Sequence, residues 1–123
     1  SDIKLNLRIE IPQKLRFNDA DICVILGNCL DNSIEAVCKF DDVSKREVNV
    51  DLVYRKKGLL IRISNPFSGD IKKDTNGNMV TTKADKENHG MGLCSVKNAV
   101  SKYNGAMNIS TDNSMFKVQI LLY

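Results

Sequence analysis

The stretch Ile25-Leu26-Gly27-Asn28-Cys29-Leu30-Asp31-Asn32-Ser33-Ile34-Glu35-Ala36 decides how this chain reads. In and around it, Ile22, Ile25, Leu26, Cys29, Leu30, Ile34 and Val37 recur at intervals of three and four, the spacing of a helix with one apolar face. Asn18 stands before the run as an N-cap, and Asp19 and Asp21 fall in the first turn, where the helix dipole favours carboxylates. The helix is expected to run to about Phe40. Its apolar stripe leaves some residues unexplained. Asn28 and Asn32 are four apart and share a face, with Asp31 and Glu35 repeating that spacing nearby. Asparagine is a poor helix former because its amide competes for the backbone. A solvated polar face is the bland reading of the pair. The functional one is that a carboxamide oxygen coordinates Mg²⁺ while water and phosphate oxygens complete the shell.

Outward from this helix the pattern changes period. Leu5, Leu7, Ile9 and Ile11 alternate with Lys4, Asn6, Arg8 and Glu10, which predicts a half-buried strand ended by Pro12. Val48, Val50, Leu52 and Tyr54, then Leu59, Leu60, Ile61 and Ile63, read as a hairpin turning at Arg55–Gly58. Residues 65–89 hold almost no apolar periodicity, and a polar loop of that length points to function. From Gly90 a second helix follows, with Leu93, Val96, Ala99, Val100 and Tyr103 in helical register and Gly105 as its stop. Met107, Ile109 and Thr111 suggest a strand, Asp112-Asn113-Ser114 a turn, and Phe116, Val118, Ile120 and Leu122 the last strand. This order predicts an α+β fold, a two-layer sandwich. Its sheet is expected to be mixed, mostly antiparallel and of about five strands, covered on one face by about three helices.

Two further stretches bear on chemistry. His89-Gly90-Met91-Gly92-Leu93 puts two glycines where a polar loop enters a helix. Glycine lets the backbone approach a ligand, and free N–H groups at a helix start suit phosphate, although a plain loop-to-helix joint looks the same. Ile61-Arg62-Ile63-Ser64-Asn65-Pro66-Phe67 ends a strand in Asn65, whose amide could pair with the polar edge of a ligand or serve only as turn chemistry.

Bulk properties set the bounds. The 123 residues fit a single domain over 1–123, and 42% hydrophobic with 27% charged residues is ordinary for a globular protein. The net charge of +3 is spread along the chain, so no nucleic-acid footprint is read. No apolar run approaches the roughly 18 residues of a membrane span, so no direct membrane contact is expected. Cys23, Cys29, Cys38 and Cys94 have no zinc spacing and are expected to be small buried hydrophobes in a reducing compartment.

Taken together, the motifs resemble those of the GHKL superfamily, which includes histidine kinases, type II topoisomerases, a heat-shock chaperone and a mismatch-repair ATPase. The resemblance spans Phe17 to the last strand and implies the Bergerat form of the α/β sandwich. Residues 25–36 look like its N box, which implies ATP and Mg²⁺ as cofactors, with Asn32 as the metal ligand. Asn28 stands at the catalytic position where hydrolysing relatives carry a Glu base, and also toward the nucleotide. Gly90, Met91, Gly92 and Leu93 look like a glycine box closing over the phosphates. Thr82 and Lys83 resemble the threonine-lysine stretch before it, and residues 68–89 would form the ATP lid.

The family's other glycine box supplies an Asp to the adenine amino group; here Asn65 takes that place and can still accept through its amide oxygen, without the charge. An Asn there, with Asp31–Ala36, resembles the peptide-pheromone sensor kinases of quorum sensing. That implies a protein-histidine kinase, with its phosphoacceptor histidine on a separate helical dimerisation domain and a response regulator as a further partner. It also implies a cytoplasmic domain of a membrane-anchored sensor. The alternatives from the same superfamily are an ATPase, an anti-sigma-type serine kinase, or an interaction module with a degenerate pocket.

Overall fold

A computed structural model describes residues 2–56, 58–67 and 91–123. In chain order the elements are β1 (Lys4–Glu10), α1 (Asp19–Val37), a 3₁₀ turn (Val43–Lys45), β2 (Glu47–Arg55), β3 (Gly58–Pro66), α2 (Met91–Ser101), β4 (Ala106–Asp112) and β5 (Met115–Leu122). The five strands form one sheet in the order β1-β2-β3-β5-β4, in which β1 lies parallel to β2 and every other pair is antiparallel. The expected mixed α+β sheet is therefore present. Two α-helices cover it among the described residues, where about three were expected; they coincide with the two stretches of helical periodicity.

Local chemistry accounts for the element ends. Asn18 caps α1 by accepting the Ala20 N–H through Oδ1 at 2.7 Å. The helix ends at Val37 rather than near Phe40, whose N–H turns back to the Val37 carbonyl. Asn113 and Ser114 both adopt positive φ, 50° and 64°, the backbone of a two-residue hairpin turn that matches strand twist. At the end of α2 the left-handed residue is Asn104 (φ 51°), not Gly105. The Gly105 N–H then reaches back to the Val100 carbonyl at 3.1 Å and closes the helix. Gly105 is needed for another reason: a Cβ there would lie 2.6 Å from the Leu121 carbonyl oxygen of β5.

The core lies between the helices and one face of the sheet. Ile25 and Val37 of α1, Val96 of α2 and Leu59, Ile61, Ile120 and Leu122 of the central strands are fully buried. On β1 the sequence expectation is half right. Leu5, Leu7 and Ile9 stand opposite Val48, Val50 and Leu52, in plane with the core face. Yet they are 50%, 58% and 56% exposed, because β1 is the sheet edge and α1 lies over β2 and β3. The cysteine expectation also holds for one residue only. Cys29 is buried, and burial pushes its thiol up to about 12, whereas Cys23, Cys38 and Cys94 are exposed.

The two helices run antiparallel and are tied where α1 begins and α2 ends. Asp21, expected only to face the helix dipole, accepts from Lys102 Nζ at 2.9 Å and from the Tyr103 hydroxyl. That hydroxyl accepts the Asn18 N–H at 3.0 Å, and the Tyr103 ring meets Phe17 edge-on at 5.2 Å. The Tyr103 hydrogen bond, then Lys102, holds the Asp21 carboxyl below its ordinary value of 3.8.

Two outcomes are expected. Gly105→Ala must push β5 away from α2 and should cost about 2 kcal/mol, read from the denaturant midpoint at unchanged slope. For Asp21, a depressed folded pKa gives stability that is complete above the unfolded value and is lost as pH falls through the folded one. Thermal midpoints should therefore fall on acidification from about pH 5 towards pH 3. Tyr103→Phe, which keeps the ring contact, should lower the midpoint at neutral pH and show a smaller acid-induced drop.

Candidate functional site

Three elements converge on the end of the sandwich opposite the Asp21 tether. The chain passes up β1, back along α1, up β2 and back along β3, so the second half of α1 and the end of β3 share one end. Because α2 is antiparallel to α1, its N-terminus lies there too. Asn28 and Asn32 share one face of α1 and are both half-buried, and Asn28 meets α2.

Gly92 is the neighbour of Asn28. Asn28 Nδ2 donates to the Val24 carbonyl at 2.8 Å, which anchors the amide and turns Oδ1 outward. A Cβ at residue 92 would lie 3.1 Å from that Oδ1, 3.6 Å from Asn28 Cγ and 3.7 Å from its Cβ. Glycine at this position is thus explained by the close approach of the Asn28 amide. The first amides of a helix have no acceptor within it, so the start of α2 at Met91–Cys94 points N–H donors toward the end of the molecule where Asn28 stands. Leu93 is half-buried beside them. The side chain of Asn32, one turn further along α1, makes no hydrogen bond with the described residues.

The third element brings Asn65. It follows Ile61 and Ile63 on the core face of β3, opposite Phe116 of β5, and is 1% exposed. Its Nδ2 donates to the Pro66 carbonyl at 2.8 Å. Its Oδ1 is buried and has no hydrogen-bond partner among the described residues. Exchanging the two amide atoms would press oxygen against the Pro66 carbonyl, so the orientation is fixed by the chain itself. A buried acceptor left alone costs about 1–3 kcal/mol, so this oxygen calls for a donor from outside the described residues.

The donor set suits a nucleotide with a hard cation. Carboxamide oxygens are acceptors, so Asn28 and Asn32 suit a cation or its bound water rather than bare phosphate; the phosphate would take the N–H groups of α2. Among the described residues no cluster of His, Cys, Asp and Glu could hold a metal alone. Asn28 is an amide and cannot take a proton, so that position holds no general base. The sequence reading thus brought Asn28, Asn32, Asn65, Gly92 and Leu93 to one end of the molecule. Met91 begins α2, while Thr82, Lys83, Gly90 and the stretch 68–89, with His89, lie outside the described residues. What it missed is the Val24 and Pro66 carbonyls, which orient the two amides. No side-chain signal announces a backbone acceptor.

Comparisons with known proteins bear on the fold and the family. The fold is that of the nucleotide-free catalytic domain of the histidine kinase ThkA, with a TM-score of 0.70 at 13% identity over 98% of this chain and 79% of that one. The mycobacterial sensor histidine kinase MprB gives 0.65 at 19% identity, over 98% and 81%. The Acinetobacter baumannii histidine kinase AdeS gives 0.61 at 14%, where this chain spans 97% of itself and 54% of the larger protein. Identities this low establish the fold alone. No curated protein matches the chain in sequence. The sequence pattern described as GHKL domain matches residues 17–123, nearly the whole chain, and the protein therefore belongs to the GHKL domain family.

Proposed function

We propose that this chain is the ATP-binding catalytic domain of a two-component sensor histidine kinase of the peptide-pheromone, quorum-sensing kind. In this reading it holds Mg·ATP and presents the γ-phosphate to a histidine on a separate helical dimerisation domain. A response regulator is the further partner, and the parent is a membrane-anchored sensor with this domain in the cytoplasm. The observation that carries the reading is the approach of Asn28 Oδ1 to the Gly92 backbone, with a Cβ position only 3.1 Å away. It sets a cation-seeking oxygen beside a phosphate-seeking helix start.

The roles follow from the atoms. Asn65 Oδ1 accepts from the adenine amino group. Asn32 binds Mg²⁺, and Asn28 steadies the metal's water on the same helix face. Bound there, the ion neutralises charge on the phosphoryl oxygens. Gly90, Met91, Gly92 and Leu93 surround the phosphates, and Thr82 and Lys83 approach them from the lid at 68–89. Phosphoryl transfer asks mainly for positioning and charge neutralisation, which amides and backbone N–H groups supply. The ATPase alternative needs a base for water, and the amide of Asn28 disfavours it. Likeness to histidine kinase catalytic domains in fold supports the kinase reading over a serine kinase.

Calorimetric titration with Mg·ATP tests this. The domain should bind, Asn32→Ala should weaken binding at least about tenfold, and no stable phosphohistidine should form on the isolated domain. Absence of binding at millimolar ATP would overturn the reading. Asn65 gives a sharper outcome. Asn65→Leu removes the orphan acceptor, so ATP affinity should fall at least about tenfold while the thermal midpoint without nucleotide does not fall. Loss of both together would mean that Asn65 is structural.

A further inference from the structure

One cleft among the described residues lies away from the proposed nucleotide end. It lies on the outer face of the sheet, away from both helices, with a volume of about 290 Å³. That face is mostly polar, but one row across it is not. Val53, Leu60 and Leu121 stand side by side on β2, β3 and β5. Along one side runs the row Arg8, Asp51, Arg62. On the other side Arg55 stands opposite Gly58. The cleft thus has an aliphatic floor and three guanidinium groups at its rim.

The rim carries excess positive charge. Arg8 and Arg55 share one carboxylate, Glu10, at 2.8 and 3.3 Å, and Arg62 faces Asp51 at 3.6 Å. Each guanidinium has five N–H donors, so two carboxylates and Gln119 Oε1, which accepts from Arg62 Nε at 3.2 Å, still leave donors unspent. Gly58 is a second, independent observation. Glycine weakens a strand, yet here a Cβ would meet only ordinary contacts, 3.5 Å from Leu122 O, 3.6 Å from Arg55 O and 3.8 Å from Leu121 Cδ1. Among the described residues no contact excludes a Cβ there, and a side chain at that point would project into the cleft.

We propose that this cleft docks a partner polypeptide presenting a carboxylate beside an aliphatic side chain. The aliphatic group covers the Val53–Leu60–Leu121 row while the carboxylate takes the free donors of the arginines in bidentate fashion. Ligand cavities usually measure about 300–1,000 Å³. A cleft at the lower limit and open along a sheet face suits one or two side chains held by a partner backbone better than a free small molecule. Nucleic acid is disfavoured, because the residues lining the cleft include no aromatic ring for a base to stack on. The inference is independent of ATP binding, since the helices lie on the opposite face.

The test uses methyl-labelled domain and three capped tetrapeptides, Leu-Glu-Leu-Glu, Leu-Gln-Leu-Gln and Leu-Lys-Leu-Lys. The acidic peptide should shift the Val53, Leu60 and Leu121 methyl signals saturably, with a dissociation constant on the order of 1 mM. The other two should not saturate. The double variant Arg8→Gln/Arg62→Gln and, separately, Gly58→Leu should each weaken the acidic peptide at least about tenfold, while Mg·ATP affinity stays at the wild-type value. Equal shifts from the lysine peptide, no saturable shift from the acidic one, or shifts indifferent to both variants would overturn the proposal.

Discussion

Two helices lie so close at one end of this molecule that no side chain fits freely between them. Asn28 Oδ1 would stand 3.1 Å from a Cβ on residue 92, and that distance fixes much else. It favours glycine in the first turn of α2. It requires the Asn28 amide to be held, which the Val24 carbonyl does. It also requires the helices to stay in register along their length, and Asp21 with Lys102 and Tyr103 supplies the restraint at the far end. One end is therefore tied by side chains, while the other is left as a junction of amides and free helix N–H groups.

Asn65 completes that end in a different way. Where the superfamily's resemblance leads one to expect a carboxylate, this chain buries a neutral amide, donates its N–H to the next residue and leaves its oxygen without a partner among the described residues. A buried carboxylate at 1% exposure would need a counter-charge, and none of the described ion pairs lies there. The amide costs less to bury and still offers one acceptor of fixed direction. On the proposed function, a weaker but charge-free contact replaces a charge-assisted one.

Much of this was legible in the sequence. The helix through Asn28 and Asn32, both hairpins and the glycine-led second helix follow from periodicity and turn chemistry, because each has one face in the core and one out of it. β1 was read as half-buried, since alternation reports the two faces of a strand but not whether a helix covers either one. Leu5, Leu7 and Ile9 sit on the right face at the wrong edge. Cys23 and Cys38 were misplaced because a small apolar residue on a helix flank looks like one in its core. Gly105 was read as the helix stop for its backbone freedom, when Asn104 takes that conformation and Gly105 answers to a carbonyl on β5. Contacts between residues distant in sequence, such as Asp21 with Tyr103, leave no local trace.

The account stands on one shared site formed by the second half of α1, the start of α2 and the end of β3. Its most direct test is to follow the Gly92 backbone amide together with the Asn32 and Asn65 side-chain amides. They would be observed in nitrogen–proton correlation spectra as Mg²⁺ and a non-hydrolysable ATP analogue are added. The account predicts that all three move along one saturation curve, and that Asn32 responds only when the metal is present. Signals that stay in place at saturating analogue, or that move only on the outer face of the sheet, would contradict it.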